Sequence, residues 1–129
     1  MTPDGQKIYV VDDDPAVRDS MRMVLESYGM NVQDYDSAEQ FLEDSAAQEG
    51  NGCLVLDYHM PRMTGLQLLD ALQEHHITLP VVMVTGRSDP VLKESARKAG
   101  AAVILDKPVS DEDLLQAIEL ALAERESAH

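Results

Sequence analysis

Four short apolar runs, each broken at its carboxyl end by a polar residue, constrain the fold of this chain more than any other feature. Ile8-Tyr9-Val10-Val11 leads into Asp12-Asp13-Asp14, and Leu54-Val55-Leu56 delivers Asp57 to a loop containing Met60-Pro61 and Gly65. Val81-Val82-Met83-Val84 leads into Thr85-Gly86, and Ala102-Val103-Ile104-Leu105 into Asp106-Lys107-Pro108. Runs that are apolar at nearly every position, rather than at every second one, read as strands buried on both faces of a parallel sheet. In an open parallel α/β sheet, ligands and chemistry gather at the carboxyl ends of the strands. Four strand ends therefore offer an acid pair, an acid, a hydroxyl and an amine.

Helical patterns fill the intervals. Pro15, with Asp13 or Asp14 as cap, opens a helix on which Met21, Val24, Leu25 and Tyr28 recur at helical spacing, and Gly29 ends it. Asn31 to Tyr35 is a more polar strand, suited to a sheet edge. Ser37-Ala38-Glu39-Gln40 is a capping-box pattern that opens a helix carrying Phe41 and Leu42. Gln48 to Gly52 reads as a loop before the Cys53 to Asp57 strand. A third helix spans about Gly65 to Glu74 with Leu66, Leu68, Leu69 and Leu72, and His75-His76 ends it. Pro80 begins the fourth strand, Asp89-Pro90 starts a helix closed by Gly100, and Ser110 with Asp113 caps a last helix. The inward face of that last helix is Leu114, Leu115, Ile118 and Leu122. The expected fold is α/β, a flavodoxin-like doubly wound (βα)5 with a five-stranded parallel sheet in the order 2-1-3-4-5 and right-handed crossovers. That order sets strands one, three and four side by side, so Asp12, Asp13, Asp57 and Thr85 share one crevice.

Composition narrows the function. The chain has 129 residues, enough for one domain and one core, expected over 1–123 with 124–129 as a polar tail or the start of a linker. A formal net charge of −14 repels phosphate backbones and anionic lipid, so direct nucleic-acid or membrane binding by this segment is disfavoured. The single cysteine, Cys53, begins an apolar strand and reads as a small buried side chain. Met1 to Gln6 has no apolar signal region and no segment approaches a membrane span, which gives a cytoplasmic expectation.

Three close carboxylates cannot all stay charged without a counter-ion. An octahedral Mg2+ (or Mn2+) held by one or two acids and several waters would supply it. With a hydroxyl and an ammonium nearby, the crevice has most of what phosphoryl transfer asks of a protein, and Asp57 is placed to act as a nucleophile forming an acyl phosphate.

Taken together, Asp12-Asp13-Asp14, Asp57-Tyr58-His59-Met60-Pro61 with Gly65, Val84-Thr85-Gly86 and Asp106-Lys107-Pro108 resemble the receiver domain of two-component response regulators over nearly the whole chain. Each motif alone is weak. Four in order, each at a strand end, are specific. The resemblance implies that Asp57 is the phosphoacceptor, that Asp12, Asp13 and Asp57 hold Mg2+ with the backbone carbonyl of His59, that Thr85 and Lys107 contact the phosphoryl group, and that Lys107-Pro108 is a cis peptide. It further implies a sensor histidine kinase as donor and catalysis by the domain of its own phosphorylation and dephosphorylation. A switching face on helix four, strand five and helix five would control a transcriptional output, through a phosphorylation-dependent homodimer or a C-terminal DNA-binding domain. Ser37-Ala38-Glu39-Gln40-Phe41-Leu42 and Val84-Thr85-Gly86 are most similar to receivers of the nitrogen-fixation regulator type. One position departs from the family: three residues before Lys107, where receivers commonly carry Tyr or Phe, this chain has Ile104.

Other readings compete. A flavodoxin-type or dinucleotide binder needs a hydroxyl- or glycine-rich phosphate loop after strand one, and this chain has acids there. A haloacid-dehalogenase-type phosphatase also uses an Asp nucleophile, but as an Asp-x-Asp after strand one, which Asp12-Asp13-Asp14 offers formally. A pseudo-receiver would not need Asp57, Thr85 and Lys107, and a stand-alone or phosphorelay receiver differs only in having no DNA-binding output. His75-His76 reads as a helix end, not a metal pair, because adjacent helical side chains diverge. The side chain of His59 either borders the phosphoryl group or has no role beyond its carbonyl.

Overall fold

The computed structural model of the chain describes residues 7–44, 52–86 and 89–127, and among these strands and helices alternate. They are β1 (Lys7–Val11), α1 (Pro15–Ser27), β2 (Asn31–Tyr35), α2 (Ala38–Glu43), β3 (Cys53–Asp57), α3 (Gly65–Glu74), β4 (Val81–Thr85), α4 (Pro90–Lys98), β5 (Val103–Asp106) and α5 (Asp111–Ser127). The five strands are parallel, as the alternation of the sequence requires, and they lie in the expected order β2-β1-β3-β4-β5.

Successive side chains of a strand point to opposite faces, and here both faces are covered. Tyr9, Val11, Leu54, Leu56, Val81 and Met83 pack with Phe41, Leu68, Leu72 and Ala96 from α2, α3 and α4. Ile8, Val10, Cys53, Val55, Val82 and Val84 pack on the other side with Met21 and Leu25 of α1 and with Leu114, Ala117, Ile118 and Ala121 of α5. This two-sided burial is why β1, β3 and β4 read as unbroken apolar runs. The more polar β2 lies at an edge, where its Gln33 is exposed and Val32 and Tyr35 each cover one face. Within the second layer Cys53 is fully buried, and burial pushes its thiol up to about 12, which leaves it an inert core side chain.

Several boundaries differ from the sequence expectation. Pro80 lies outside β4, although its carbonyl already accepts from the Leu54 N–H at 2.9 Å. β5 starts one residue later than expected and takes in Asp106. Tyr28 is not on the inward stripe of α1. It is the C-cap residue, past the last full turn, and is 60% exposed. On α5 the buried seam is Leu114, Ala117, Ile118 and Ala121, with Leu115 and Leu122 only partly covered, because the two alanines let the helix lie close against the sheet. α5 runs on to Ser127, so the helix includes 124–127. At α2 the Gln40 side chain accepts from the N–H of Asp36, not Ser37, so only the Ser37 half of the capping box forms. A complete box forms instead at α3, between Thr64 and Gln67. Residues 1–6, residues 48–51 of the expected loop, Arg87 and Ser88 after Gly86, and residues 128–129 lie outside the described residues.

Candidate functional site

The carboxyl edge of β1, β3, β4 and β5 brings Asp12, Asp57, Thr85 and Lys107 to one end of the sheet. Asp12, Asp57 and Thr85 are 2%, 3% and 0% exposed, and buried polar side chains at strand ends are costly unless they serve a purpose. One carboxylate oxygen from each of Asp12, Asp13 and Asp57 lies within 4.8 Å of the other two, with Asp13 on the exposed side. Among the described residues this is the single cluster of metal-ligating side chains, and His75-His76 forms none. Lys107 reaches in from the end of β5, its Nζ 3.2 Å from Asp57 Oδ1 and 3.7 Å from Asp12 Oδ2. The Lys107-Pro108 peptide is cis, as the family resemblance implied.

The electrostatics follow from this crowding. Burial, then the facing Asp12 charge, pushes the Asp57 carboxyl up to about 6; Lys107 and the His59 N–H act against that rise without cancelling it. Burial also raises Asp12, opposed by the Asp14 N–H and by Lys107 and reinforced by Asp13 and Asp14. Burial alone would lower Lys107, but Asp57 and Asp12 outweigh it and hold the ammonium above its usual range. One lysine thus faces two buried carboxylates and a third at the rim. Asp12 Oδ2 and Asp57 Oδ1 are buried without an aligned hydrogen bond, so that the Lys107 ammonium at 3.7 and 3.2 Å is the charge that faces them. Three carboxylates with oxygens within 4.8 Å of one another, faced by a single lysine, fit a hard divalent cation.

Local structure explains how the acids are held. Asp14 is the N-cap of α1, accepting from the Ala16 and Val17 N–H groups, and its own N–H donates to Asp12 Oδ1 at 2.9 Å. Because Asp14 is turned to the helix, Asp12-Asp13-Asp14 cannot act as the Asp-x-Asp pair of a dehalogenase-type phosphatase. Two supports were not legible in the sequence. Arg18 Nη1 donates to the Asp12 carbonyl at 2.8 Å while its Nε faces Asp34 at 3.5 Å, tying the acid loop to β2. Gly65 lies against the end of β3, where a Cβ would stand 2.6 Å from the Asp57 carbonyl oxygen and 3.0 Å from the Tyr58 Cα, so only glycine lets α3 start there.

His59 touches the site twice. Its N–H donates to the Asp57 carboxylate, and its ring Nε2 shares a 3.3 Å hydrogen bond with Thr85 Oγ1. Ile104 sits on β5 opposite Met83, partly buried on the face covered by α2, α3 and α4. At the rim, Lys93 of α4 pairs with Asp106 at 3.2 Å.

The sequence profile of the family described as "Response regulator receiver domain" matches residues 8–119. The chain is 39% identical over 122 residues to "Transcriptional regulatory protein TdiR" of Thauera aromatica, covering 95% of this chain and 53% of that protein. It is 39% identical over 128 residues to "Transcriptional regulatory protein FixJ" of Bradyrhizobium diazoefficiens, covering 99% of this chain and 62% of that one. Among solved structures, "CRYSTAL STRUCTURE OF FIXJ-N" superposes with a TM-score of 0.83 at 37% identity, covering 94% of each chain. The likeness to FixJ supports the nitrogen-fixation-regulator subtype. The chain thus spans about half to three-fifths of the curated relatives it matches. Among the described residues no helix is long and apolar enough to cross a membrane.

Proposed function

Because this chain belongs to the response regulator receiver domain family, we propose that Asp57 accepts a phosphoryl group from the phosphohistidine of a sensor histidine kinase, in a crevice where Asp12, Asp13 and Asp57 hold Mg2+. The observation that carries the reading is the pair of buried carboxylate oxygens, Asp12 Oδ2 and Asp57 Oδ1, that have no aligned hydrogen bond and face one lysine at the carboxyl edge of the sheet. Bound there, together with the His59 backbone carbonyl, Mg2+ or Mn2+ supplies charge neutralisation for the acids and for the phosphoryl oxygens.

The residues of the chain do the rest. A carboxyl raised to about 6 is mostly ionised at neutral pH yet more basic than an ordinary carboxylate, which suits a nucleophile. A carboxylate oxygen of Asp57 attacks phosphorus as the P–N bond of the donor breaks, and the histidine nitrogen leaves with the electron pair. Lys107, already 3.2 Å from Asp57, meets the negative phosphoryl oxygens, and the Thr85 hydroxyl donates to them. Phosphorylation adds roughly two negative charges at one strand end, and drawing Thr85 toward them shifts the loop at Gly86 and α4.

Since the relatives are transcriptional regulators that extend beyond this chain's length, the output is proposed to be transcriptional, in the cytoplasm, through a C-terminal DNA-binding domain and a phosphorylation-dependent homodimer. A stand-alone or phosphorelay role would use the same site without that output. Acetyl phosphate with Mg2+ should add one phosphate by intact mass to the wild-type chain, none to Asp57→Asn, and Lys107→Ala should be phosphorylated without switching. Modification that persists in Asp57→Asn, or none in the wild type, would overturn the assignment.

A further inference from the structure

The phosphoryl chemistry leaves the imidazole of His59 without a role, although the ring is joined to Thr85. It is exposed on the loop after β3, stands edge-on to the Tyr58 ring with centroids 4.8 Å apart, and shares its 3.3 Å hydrogen bond with the Thr85 hydroxyl. The backbone around Thr85 is clamped on both sides: the Val84 carbonyl accepts from Tyr58 N–H at 2.9 Å, and the Thr85 carbonyl accepts from Lys107 N–H at 2.8 Å. The hydroxyl can therefore relocate chiefly by rotation about χ1, which in a β-branched side chain has few wells, or by movement beyond Thr85. Asp57 Oδ1 has no aligned hydrogen bond in this state, so the Thr85 hydroxyl does not serve it.

We propose that His59 is a positioning residue whose imidazole holds the Thr85 hydroxyl in its unphosphorylated placement, so that a phosphoryl group on Asp57 gains Thr85 only by displacing the Thr85–His59 hydrogen bond. The inference rests on Asp57 being the phosphoacceptor. His59 then sets the resting bias of the switch: its N–H steadies the nucleophile, while its ring opposes the rearrangement that phosphorylation drives. A ligand that needs the rearranged state binds less tightly by the factor that the resting state is favoured. One net hydrogen bond corresponds to about 2- to 10-fold.

His59→Phe keeps a ring against Tyr58 and deletes the nitrogen. Titration with beryllofluoride and Mg2+, a phosphoryl mimic, should show binding about 2- to 10-fold tighter in His59→Phe than in wild type. In a Thr85→Ala background the same replacement should change nothing, because the partner hydroxyl is gone. The 13C resonance of the Thr85 methyl in metal-free His59→Phe should move toward its beryllofluoride-bound position. Weaker or unchanged binding in His59→Phe, or an equal gain in the Thr85→Ala background, would overturn the proposal. The same criteria apply to His59→Leu, which serves if the phenyl ring perturbs the loop. Intact mass after acetyl phosphate separates the two readings: no phosphate on the wild type sinks the phosphoacceptor assignment, whereas phosphate on both proteins with unchanged beryllofluoride affinity sinks only the role of His59.

Discussion

Replacing Asp57 by asparagine should stabilise the metal-free protein, because the site holds carboxylates that the fold would be more stable without. Burial and the facing Asp12 charge raise the Asp57 carboxyl from 3.8 to about 6. A shift of that size, at about 1.4 kcal/mol per unit, is a penalty of about 3 kcal/mol for keeping Asp57 ionised in the native state. The pH dependence has a definite sign. Between 3.8 and about 6 the native state binds more protons than the unfolded chain, so wild-type stability falls as pH rises through that window, and the penalty is complete above it. The asparagine of Asp57→Asn would carry no charge, and Lys107 keeps Asp12 as a partner at 3.7 Å. In EDTA at pH 7 the gain should reach about 3 kcal/mol, or roughly 10 °C in Tm for a domain of this size. It should shrink toward zero near pH 4. Saturating Mg2+ should narrow the gap from the other side, since the cation stabilises the wild-type acids by mass action. Urea unfolding of both proteins from pH 4 to 7.5 decides it. A variant no more stable than wild type at pH 7, or a gain that does not vary with pH, would refute the reasoning.

Three further substitutions separate support of the site from its switching. Gly65→Ala forces a Cβ to within 2.6 Å of the Asp57 carbonyl, so α3 or the end of β3 must shift; a loss of about 1–3 kcal/mol in chemical denaturation and slower phosphorylation by acetyl phosphate are expected. Gly86→Ala meets nothing within 4 Å and needs no left-handed backbone, so the fold should gain about 0.4–1 kcal/mol. The beryllofluoride-induced NMR shifts over α4 should nevertheless shrink as the loop stiffens. Ile104→Ala, at a partly buried β5 position, should cost roughly 1–2 kcal/mol in Tm-derived stability while leaving the α4 response to beryllofluoride intact. An abolished response would make Ile104 itself the switch.

Much of this protein was legible in the order of its residues. Apolar runs in β1, β3 and β4 can be satisfied only by burial on both faces, and helical segments between parallel strands leave few topologies, among which the flavodoxin-like order was the one expected. The positions of Asp12, Asp57, Thr85 and Lys107 were legible for the same reason: each ends a strand, and parallel strands end on one edge. What tertiary structure alone decided depends on distances between segments far apart in the chain. The glycine at position 65 reads as a loop terminator until α3 is seen to start against the carbonyl of Asp57. Nothing in the sequence pattern singles out Arg18, whose guanidinium lies on the Asp12 carbonyl and Asp34. Ala117 and Ala121 become core residues only because α5 settles on the sheet closely enough to bury small side chains. The bond between His59 and Thr85, 26 residues apart, exists because β3 and β4 pair in a register that sets Asp57 beside Val84, and so brings the loop after one strand over the last residue of the other. Periodicity reports which face of an element is buried. It carries no information on how closely two elements approach, and that approach settles which backbone a glycine must spare and which hydroxyl an imidazole can reach.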